Sequence, residues 1–192
     1  MSLQKINTRT LVLILMIVLA AAFRLISYKY QSTLSNFTPV GAIALFGGAY
    51  FADKWKAYVV VLLTLVASDL IINYLYFSQI ELFTSSIWMY LCFAIMIFIG
   101  TLIKKVNVVN VSLASFAGIL VHWLIMDLPW LHFGLKLYPN TLAGYAQSLV
   151  AAIPFEKNMV LGDLLFCTIL FGGFELATRK YTVLRTNQKL AV

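Results

Sequence analysis

Six apolar stretches, most of them close to the length of a membrane-spanning helix, constrain this chain more than any other feature. They lie at about residues 10–28, 39–52, 57–76, 84–103, 108–128 and 158–177. A helix needs about 20 apolar residues to cross the hydrocarbon core of a bilayer. The sequence therefore predicts an all-α integral membrane protein, with six transmembrane helices in one membrane domain covering residues 1–192.

The composition agrees with a chain that is solvated mainly by lipid. Hydrophobic residues make up 62% and charged residues only 11%, whereas soluble domains carry about 25% charged residues. The mean hydropathy is +0.92. The net charge of +7 comes from Lys and Arg scattered at the ends of apolar stretches, where such residues orient helices in membranes. We therefore expect membrane lipid, and no nucleic acid, as a partner.

Two apolar stretches are too short to be ordinary spans. In "NFTPVGAIALFGGAYF", Thr38 is the predicted N-cap and Pro39 the first helical residue. The helix 39–52 would be about 21 Å long, so it could span only with its ends covered by protein or in a thinned bilayer. A further stretch at 142–155, ended by Pro154, predicts a re-entrant or interfacial helix before the last span.

The positive charges predict the orientation of the chain. With six spans, ten Lys and Arg lie on the side of the termini: Lys5, Arg9, Lys54, Lys56, Lys104, Lys105, Arg179, Lys180, Arg185 and Lys189. The other side carries four: Arg24, Lys29, Lys136 and Lys157. Positive residues favour the cytoplasmic side. Both termini are therefore predicted to be cytoplasmic.

Ionisable residues within the apolar stretches cluster in the outer half of the membrane. Asp69, in "LTLVASDLIINYLYF", lies about 18 Å from the inner face and Arg24 about 21 Å. Asp127 is near the outer end of the fifth stretch, and Asp163 is one to two turns below the outer end of the sixth. Charges in spans normally face a partner charge or a polar cavity. This pattern predicts a polar pocket open to the outside, or an Arg24–Asp69 ion pair that only fixes helix packing.

Two other patterns have a functional and a structural interpretation. Gly41, Ala44, Gly48 and Ala52 lie on one face of the short helix, where small residues allow close approach of another helix. This stripe predicts either a docking face for a partner subunit or internal packing. In the inner half, Glu175 and Arg179 predict a local ion pair at a helix end.

Metal and enzyme chemistry are poorly supported. His122, Asp127 and His132 are five residues apart, a spacing that does not place them on one helix face. Cys92 and Cys167 lie inside apolar stretches without CxxC spacing, as small buried hydrophobes do. The GxGD and GxSG patterns of intramembrane proteases are absent. We expect no enzyme, no cofactor and no metal, although Asp69 or Asp163 could relay protons.

Four segments carry a family resemblance: "NFTPVGAIALFGGAYF", "SDLIIN", "LYPNTLAGYAQSLVAAIPF" and "NMVLGDLLFCTILFGGFELA". Together they resemble an uncharacterised bacterial family linked to transport (DUF6580-like). This family is similar to the substrate-binding S components of energy-coupling-factor (ECF) transporters. The resemblance implies a six-helix bundle in the bacterial cytoplasmic membrane, a ligand site in the outer half, and an energy-coupling module of a transmembrane subunit and ATPases as partner.

The resulting expectation is a membrane protein that binds and takes up a small water-soluble, vitamin-like nutrient. The predicted substrate-binding residues are Arg24, Asn36, Thr38, Asp69, Asn73, Asp127, Trp130, Asn158 and Asp163. Arg24 would hold an anionic group of the substrate, and Trp130 would stack on it. Asp69, Asn73 and Asp163 would hydrogen-bond it. The alternatives are a solitary proton-coupled carrier and a non-transporting membrane scaffold or assembly factor.

Overall fold

A computed structural model describes residues 7–78, 87–131 and 137–185, without the side chains of residues 31 and 32. This part of the chain is helical and contains no strand. The helices are α1 (Thr8–Lys29), α2 (Gln31–Leu34), α3 (Val40–Tyr50), α4 (Lys54–Phe77), α5 (Ile87–Thr101), α6 (Val108–Met126), α7 (Leu142–Cys167) and α8 (Gly173–Lys180). A π-helical turn at Thr168–Gly172 joins the last two, and 3₁₀ turns lie at Pro129–Leu131 and Thr182–Leu184.

Four of these helical segments are long and apolar enough to cross a membrane: Thr8–Lys29, Lys54–Phe77, Val108–Met126 and Leu142–Lys180. The other two predicted stretches contain the shorter apolar helices Val40–Tyr50 and Ile87–Thr101. The prediction of an all-α membrane protein is confirmed, and the count of six spans stays a prediction. The start of the fourth predicted stretch, residues 84–86, lies outside the described residues, as do His132 and Lys136.

The predicted break at Pro154 is wrong. Pro154 lies inside α7, and the helix continues through the π-helical turn into α8 for 39 residues. That is about 58 Å, roughly twice the thickness of a bilayer core. Proline removes one helical hydrogen bond, but packing against neighbouring helices can compensate in membrane proteins. Here Trp123 of α6 donates to the carbonyl of Leu149 at 3.2 Å, about one turn before the proline.

Helix α3 lies at the centre of the bundle and packs against α1, α4, α5, α6 and α7. All its residues except Ala49 are buried. A Cβ on Gly48 would overlap the carbonyl oxygen of Ile97 and lie 3.0 Å from the Cα of Gly100. A Cβ on Gly100 would in turn meet the backbone of Leu45. These two glycines therefore let the backbones of α3 and α5 approach each other directly.

The stripe of small residues on α3 belongs to this internal contact. Gly41, Ala44 and Gly48 are buried within the chain. Ala52 is exposed, but it lies beyond Tyr50, where the helix ends. The burial of the first three residues favours internal packing over a docking face as the interpretation of this stripe.

The carboxyl end of α3 is covered by basic side chains. The ammonium of Lys54 donates to the carbonyls of Gly48 and Phe51, at 2.9 and 3.1 Å. Arg9 donates to the carbonyl of Tyr50 at 2.9 Å. Cations at this end complement the partial negative charge of the helix terminus. The carboxyl end of this 11-residue helix is thus covered by protein groups, which is the condition that the sequence analysis set for so short a span.

Arg9 also ties the two ends of the chain together. It donates to the carbonyl of Leu184 at 2.7 Å. Nearby, the hydroxyl of Tyr50 donates to Oε1 of Glu175 at 2.6 Å. The predicted ion pair between Glu175 and Arg179 is not formed, because Glu175 turns towards Tyr50 in the bundle.

Candidate functional site

A cavity with two lobes opens at the end of the bundle where α1, α4 and α6 finish and α3 and α5 begin. The first lobe has a volume of about 250 Å³, and its polar lining consists of Arg24, Ser27, Tyr28, Asn36, Thr38 and His122. The second has a volume of about 370 Å³, and its polar lining consists of Asn36, His122, Asp127, Tyr138, Ser148 and Glu156. Asn36, Met89 and His122 line both lobes, so they mark the boundary between them.

The predicted pairing of Arg24 with Asp69 is confirmed. Nη2 of Arg24 lies 2.7 Å from Oδ1 of Asp69, and both side chains are largely buried. The hydroxyl of Tyr90 donates to the second carboxylate oxygen at 2.7 Å. Arg24 also donates to the hydroxyl of Ser68. Arg24 lines the first lobe and Asp69 stands behind it, so the pair forms the wall of this lobe.

The segment between α1 and α3 places two predicted residues at the cavity. Asn36 adopts a left-handed backbone with φ of 60°, a conformation that asparagine tolerates better than most residues. Thr38 lines the first lobe, and its hydroxyl accepts from the N–H of Val40 at 3.4 Å. Asn158 lies outside the lining, but its amide donates to the carbonyl of Ser35 at 3.0 Å. It therefore acts on the site by holding the segment that carries Asn36.

Asp163 is placed away from the cavity. It is 2% exposed, and its Oδ2 accepts from the hydroxyl of Ser115 at 2.5 Å. Its carboxylate lies against Gly41, in the first turn of α3. A carboxylate at a helix amino terminus is stabilised by the helix dipole. Asp163 thus has a structural environment of its own, formed by Ser115 and the start of α3, outside the lining of both lobes.

Of the other three predicted residues, one lines the cavity and two do not. Asp127 lines the second lobe, and its Oδ1 accepts from the hydroxyl of Ser148 at 3.2 Å. Asn73 is 4% exposed on α4, one turn after Asp69, and does not line either lobe. Trp130 lies in a 3₁₀ turn with 42% of its surface exposed, and its ring is 6.3 Å from that of Tyr145. It does not line either lobe.

His122 and Glu156 meet in the cavity, and the sequence did not predict their contact. Nδ1 of His122 lies 3.5 Å from Oε1 of Glu156, and both side chains are at least about 88% buried. Glu156 lies between the two predicted stretches 142–155 and 158–177, which Pro154 was expected to separate. Ser148, Ala152 and Glu156 recur every four residues, so a continuous helix would have placed all three on one face.

Most of the buried polar atoms without a partner belong to this cavity. In the described part of the chain, four buried side-chain atoms have no hydrogen-bond partner: Ser27 Oγ, His122 Nδ1, Glu156 Oε2 and Asp163 Oδ1. The first three belong to residues that line a lobe. Folded proteins leave few such atoms, because each costs about 1–3 kcal/mol. The cavity is therefore suited to a ligand that supplies the missing hydrogen bonds.

Metal ligands are not clustered in the ranges that the structure describes, where no group of three or more His, Cys, Asp or Glu could hold an ion. Cys92 and Cys167 are free and buried, as the sequence predicts, and neither lines a lobe of the cavity. His132, the third residue of the spacing considered in the sequence, lies outside the described residues.

Comparison with known proteins gives one match. A model described as "Family of unknown function (DUF6580)" covers residues 4–186, almost the whole chain. Searches of curated proteins and of solved structures found no match.

Proposed function

Because the chain belongs to the DUF6580 family, whose function is unknown, we propose a function from its cavity: binding and uptake of a small water-soluble nutrient. The observation that carries the proposal is the set of unpartnered polar atoms on the cavity wall, from Ser27, His122 and Glu156. In a cavity that only contacted lipid or separated the helices, these buried polar atoms would stay without hydrogen bonds and would lower the stability of the fold. A polar, vitamin-sized molecule would satisfy them.

The proposal extends to the architecture and to energy coupling. We infer six spans, with Val40–Tyr50 and Ile87–Thr101 completing a bundle like that of the ECF S components in the bacterial inner membrane. The cavity then opens to the outside and the termini lie in the cytoplasm. A transmembrane coupling subunit with ATPases would release the nutrient inward. Because the stripe on α3 is buried, such a subunit would dock elsewhere on the bundle.

A solitary proton-coupled carrier is the second candidate, and one observation favours it. His122 and Glu156 are titratable, lie 3.5 Å apart and line the cavity. Carboxylates and histidines in spans often relay protons in transporters. Uptake by the chain alone in proteoliposomes, driven by a proton gradient, would favour the carrier over the S-component-like function.

The proposed orientation predicts the labelling of single cysteines in intact cells. Cys92 and Cys167 are free and buried, and alanine replaces each of them in the background, so that the introduced cysteine is the reactive one. A cysteine at Asn140, in the exposed turn before α7, should react with a membrane-impermeant maleimide from outside. A cysteine at Lys105, at the other end of the bundle, should react only after the membrane is opened. The reverse pattern would contradict the orientation.

The proposed binding function predicts a bound small molecule. Native mass spectrometry of the full chain, released from detergent or nanodiscs, should show a non-covalent adduct of a few hundred daltons with one copy per chain. Lipid adducts serve as the internal control, because they vary with the membrane used for purification. If only lipid accompanies the protein, and a water-soluble cell extract does not raise its unfolding temperature, the binding function is wrong.

A further inference from the structure

The charges around the second lobe differ from those around the first. In the first lobe, the positive charge of Arg24 is balanced by Asp69 at 2.7 Å. In the second, the described lining carries the carboxyl groups of Asp127 and Glu156 and no lysine or arginine. Among the described residues, the first lobe thus carries an arginine paired with an aspartate, and the second carries two carboxyl groups.

Of the two acidic groups, Glu156 is the one with a buried oxygen that can still accept a hydrogen bond from a ligand. The residue is 6% exposed, and its Oε2 has no hydrogen-bond partner. The basic group in contact with it is His122, whose Nδ1 lies at 3.5 Å from Oε1 and also lacks a hydrogen bond. Leaving a carboxylate in low dielectric without a good partner is costly. A cation that donates hydrogen bonds to Oε2 would remove this cost.

The remaining lining favours an organic cation over a metal ion. Tyr138 and Phe155 line the second lobe, and the ring of Phe93 in the first lobe lies 6.2 Å from that of His122. Aromatic faces attract organic ammonium and amidinium groups. The described residues contain no cluster of three metal-binding side chains.

Resting on the proposed nutrient-binding function, we propose that the ligand carries a positively charged nitrogen group, which binds in the second lobe against Glu156 and beside His122. The neutral or dipolar part of the molecule then lies in the first lobe, where Ser27 and Thr38 offer hydrogen bonds. This assignment changes the expected role of Arg24. Its guanidinium is engaged by Asp69 and Ser68, so it shapes the lobe and does not select an anion.

The test compares three probes that are nearly equal in size and differ in charge. Benzylamine is protonated at neutral pH, benzyl alcohol is uncharged and benzoate is anionic. Binding to the purified full chain is measured by isothermal titration calorimetry in matched detergent buffers, after removal of any co-purified ligand. Benzylamine should bind at least tenfold more tightly than the other two. Glu156→Gln should remove that preference, so that benzylamine binds to the variant no more tightly than benzyl alcohol.

Glu175→Gln is the matched control, because Glu175 lies at the opposite end of the bundle and is bound by Tyr50. It should leave the preference for benzylamine intact. The inference alone is overturned if benzoate or benzyl alcohol binds best, or if Glu156→Gln binds benzylamine as tightly as the parent. It is also overturned if sodium chloride displaces benzylamine while choline chloride at equal concentration does not, since the lobe would then hold an inorganic cation. If no probe binds and no small molecule accompanies the purified protein, the proposed function fails as well.

Discussion

Replacing Gly48 with leucine should abolish the folded protein. The new side chain would have to occupy the space of the Ile97 carbonyl and the Gly100 backbone, neither of which can move without separating α3 from α5. Overpacking a core usually costs about 1–3 kcal/mol, and backbone atoms yield less readily than side chains. We therefore expect a loss of at least about 3 kcal/mol, seen as aggregation on size-exclusion chromatography and loss of the cooperative thermal transition.

Gly172→Leu provides the matched control for this substitution. A Cβ at Gly172 would meet no atom within 4 Å, so the same change in volume should be tolerated there. Expression and unfolding temperature of this variant should stay close to those of the parent. If Gly48→Leu instead folded normally and lost only the association with another subunit, the assignment of Gly48 to internal packing would be wrong.

Separating Arg24 from Asp69 should produce the second large effect. Asp69→Leu leaves the guanidinium of Arg24 in the membrane without its carboxylate partner, and breaking a buried pair typically costs about 3–5 kcal/mol. The double variant Arg24→Met/Asp69→Leu should regain most of this stability, because a buried pair can often be replaced by apolar residues. Unfolding in denaturant or heat, measured on the parent and on both variants, would show the recovery.

The same double variant tests whether the pair belongs to the site. Arg24 lines the first lobe, so an apolar wall there should weaken ligand binding strongly while the fold survives. Tyr90→Phe, which removes the hydroxyl that donates to Asp69, is a milder control and should cost about 1 kcal/mol. A double variant that folds and retains the ligand with unchanged affinity would show that the pair is only structural.

The contact between Arg24 and Asp69 could be predicted because helix rise alone fixes depth in a membrane. Each residue advances a helix by about 1.5 Å, so two charges at similar depth on separate helices are expected to meet, since burying either one alone is costly. This argument needs no knowledge of how the helices are arranged. It explains why the pair was found from the sequence while its neighbours Ser68 and Tyr90 were not.

Glu156 was missed because the local rule for proline was applied without its tertiary context. Pro154 disfavours helix in water, where freed backbone groups and a strained turn are not compensated. Packed against α6, the segment stays helical and carries Glu156 into the cavity. The buried Asp163 shows a different difficulty, because a charge inside a span suggested a substrate, whereas the structure packs its carboxylate against Gly41 in the first turn of α3.

The stripe on α3 was ambiguous for a different reason. Small residues show that something approaches the helix closely, but the pattern is the same whether the neighbour is another chain or α5. The sequence holds a matching signal in Gly100, which lies inside the apolar helix Ile87–Thr101. Without the arrangement of helices, nothing in the sequence paired Gly100 with Gly48.

If the proposed binding function is right, the length of α3 should set the length of the ligand that the cavity accepts. The 11 residues of α3 extend over about 16 Å, compared with about 30 Å for a bilayer core, and both Val40 at its start and Thr38 just before it line the first lobe. Each residue added to or removed from the start of α3 would shift this part of the lining by about 1.5 Å. Members of the family whose α3 differs in length should therefore accept molecules of different length, and could be sorted by that length before any of their ligands is known.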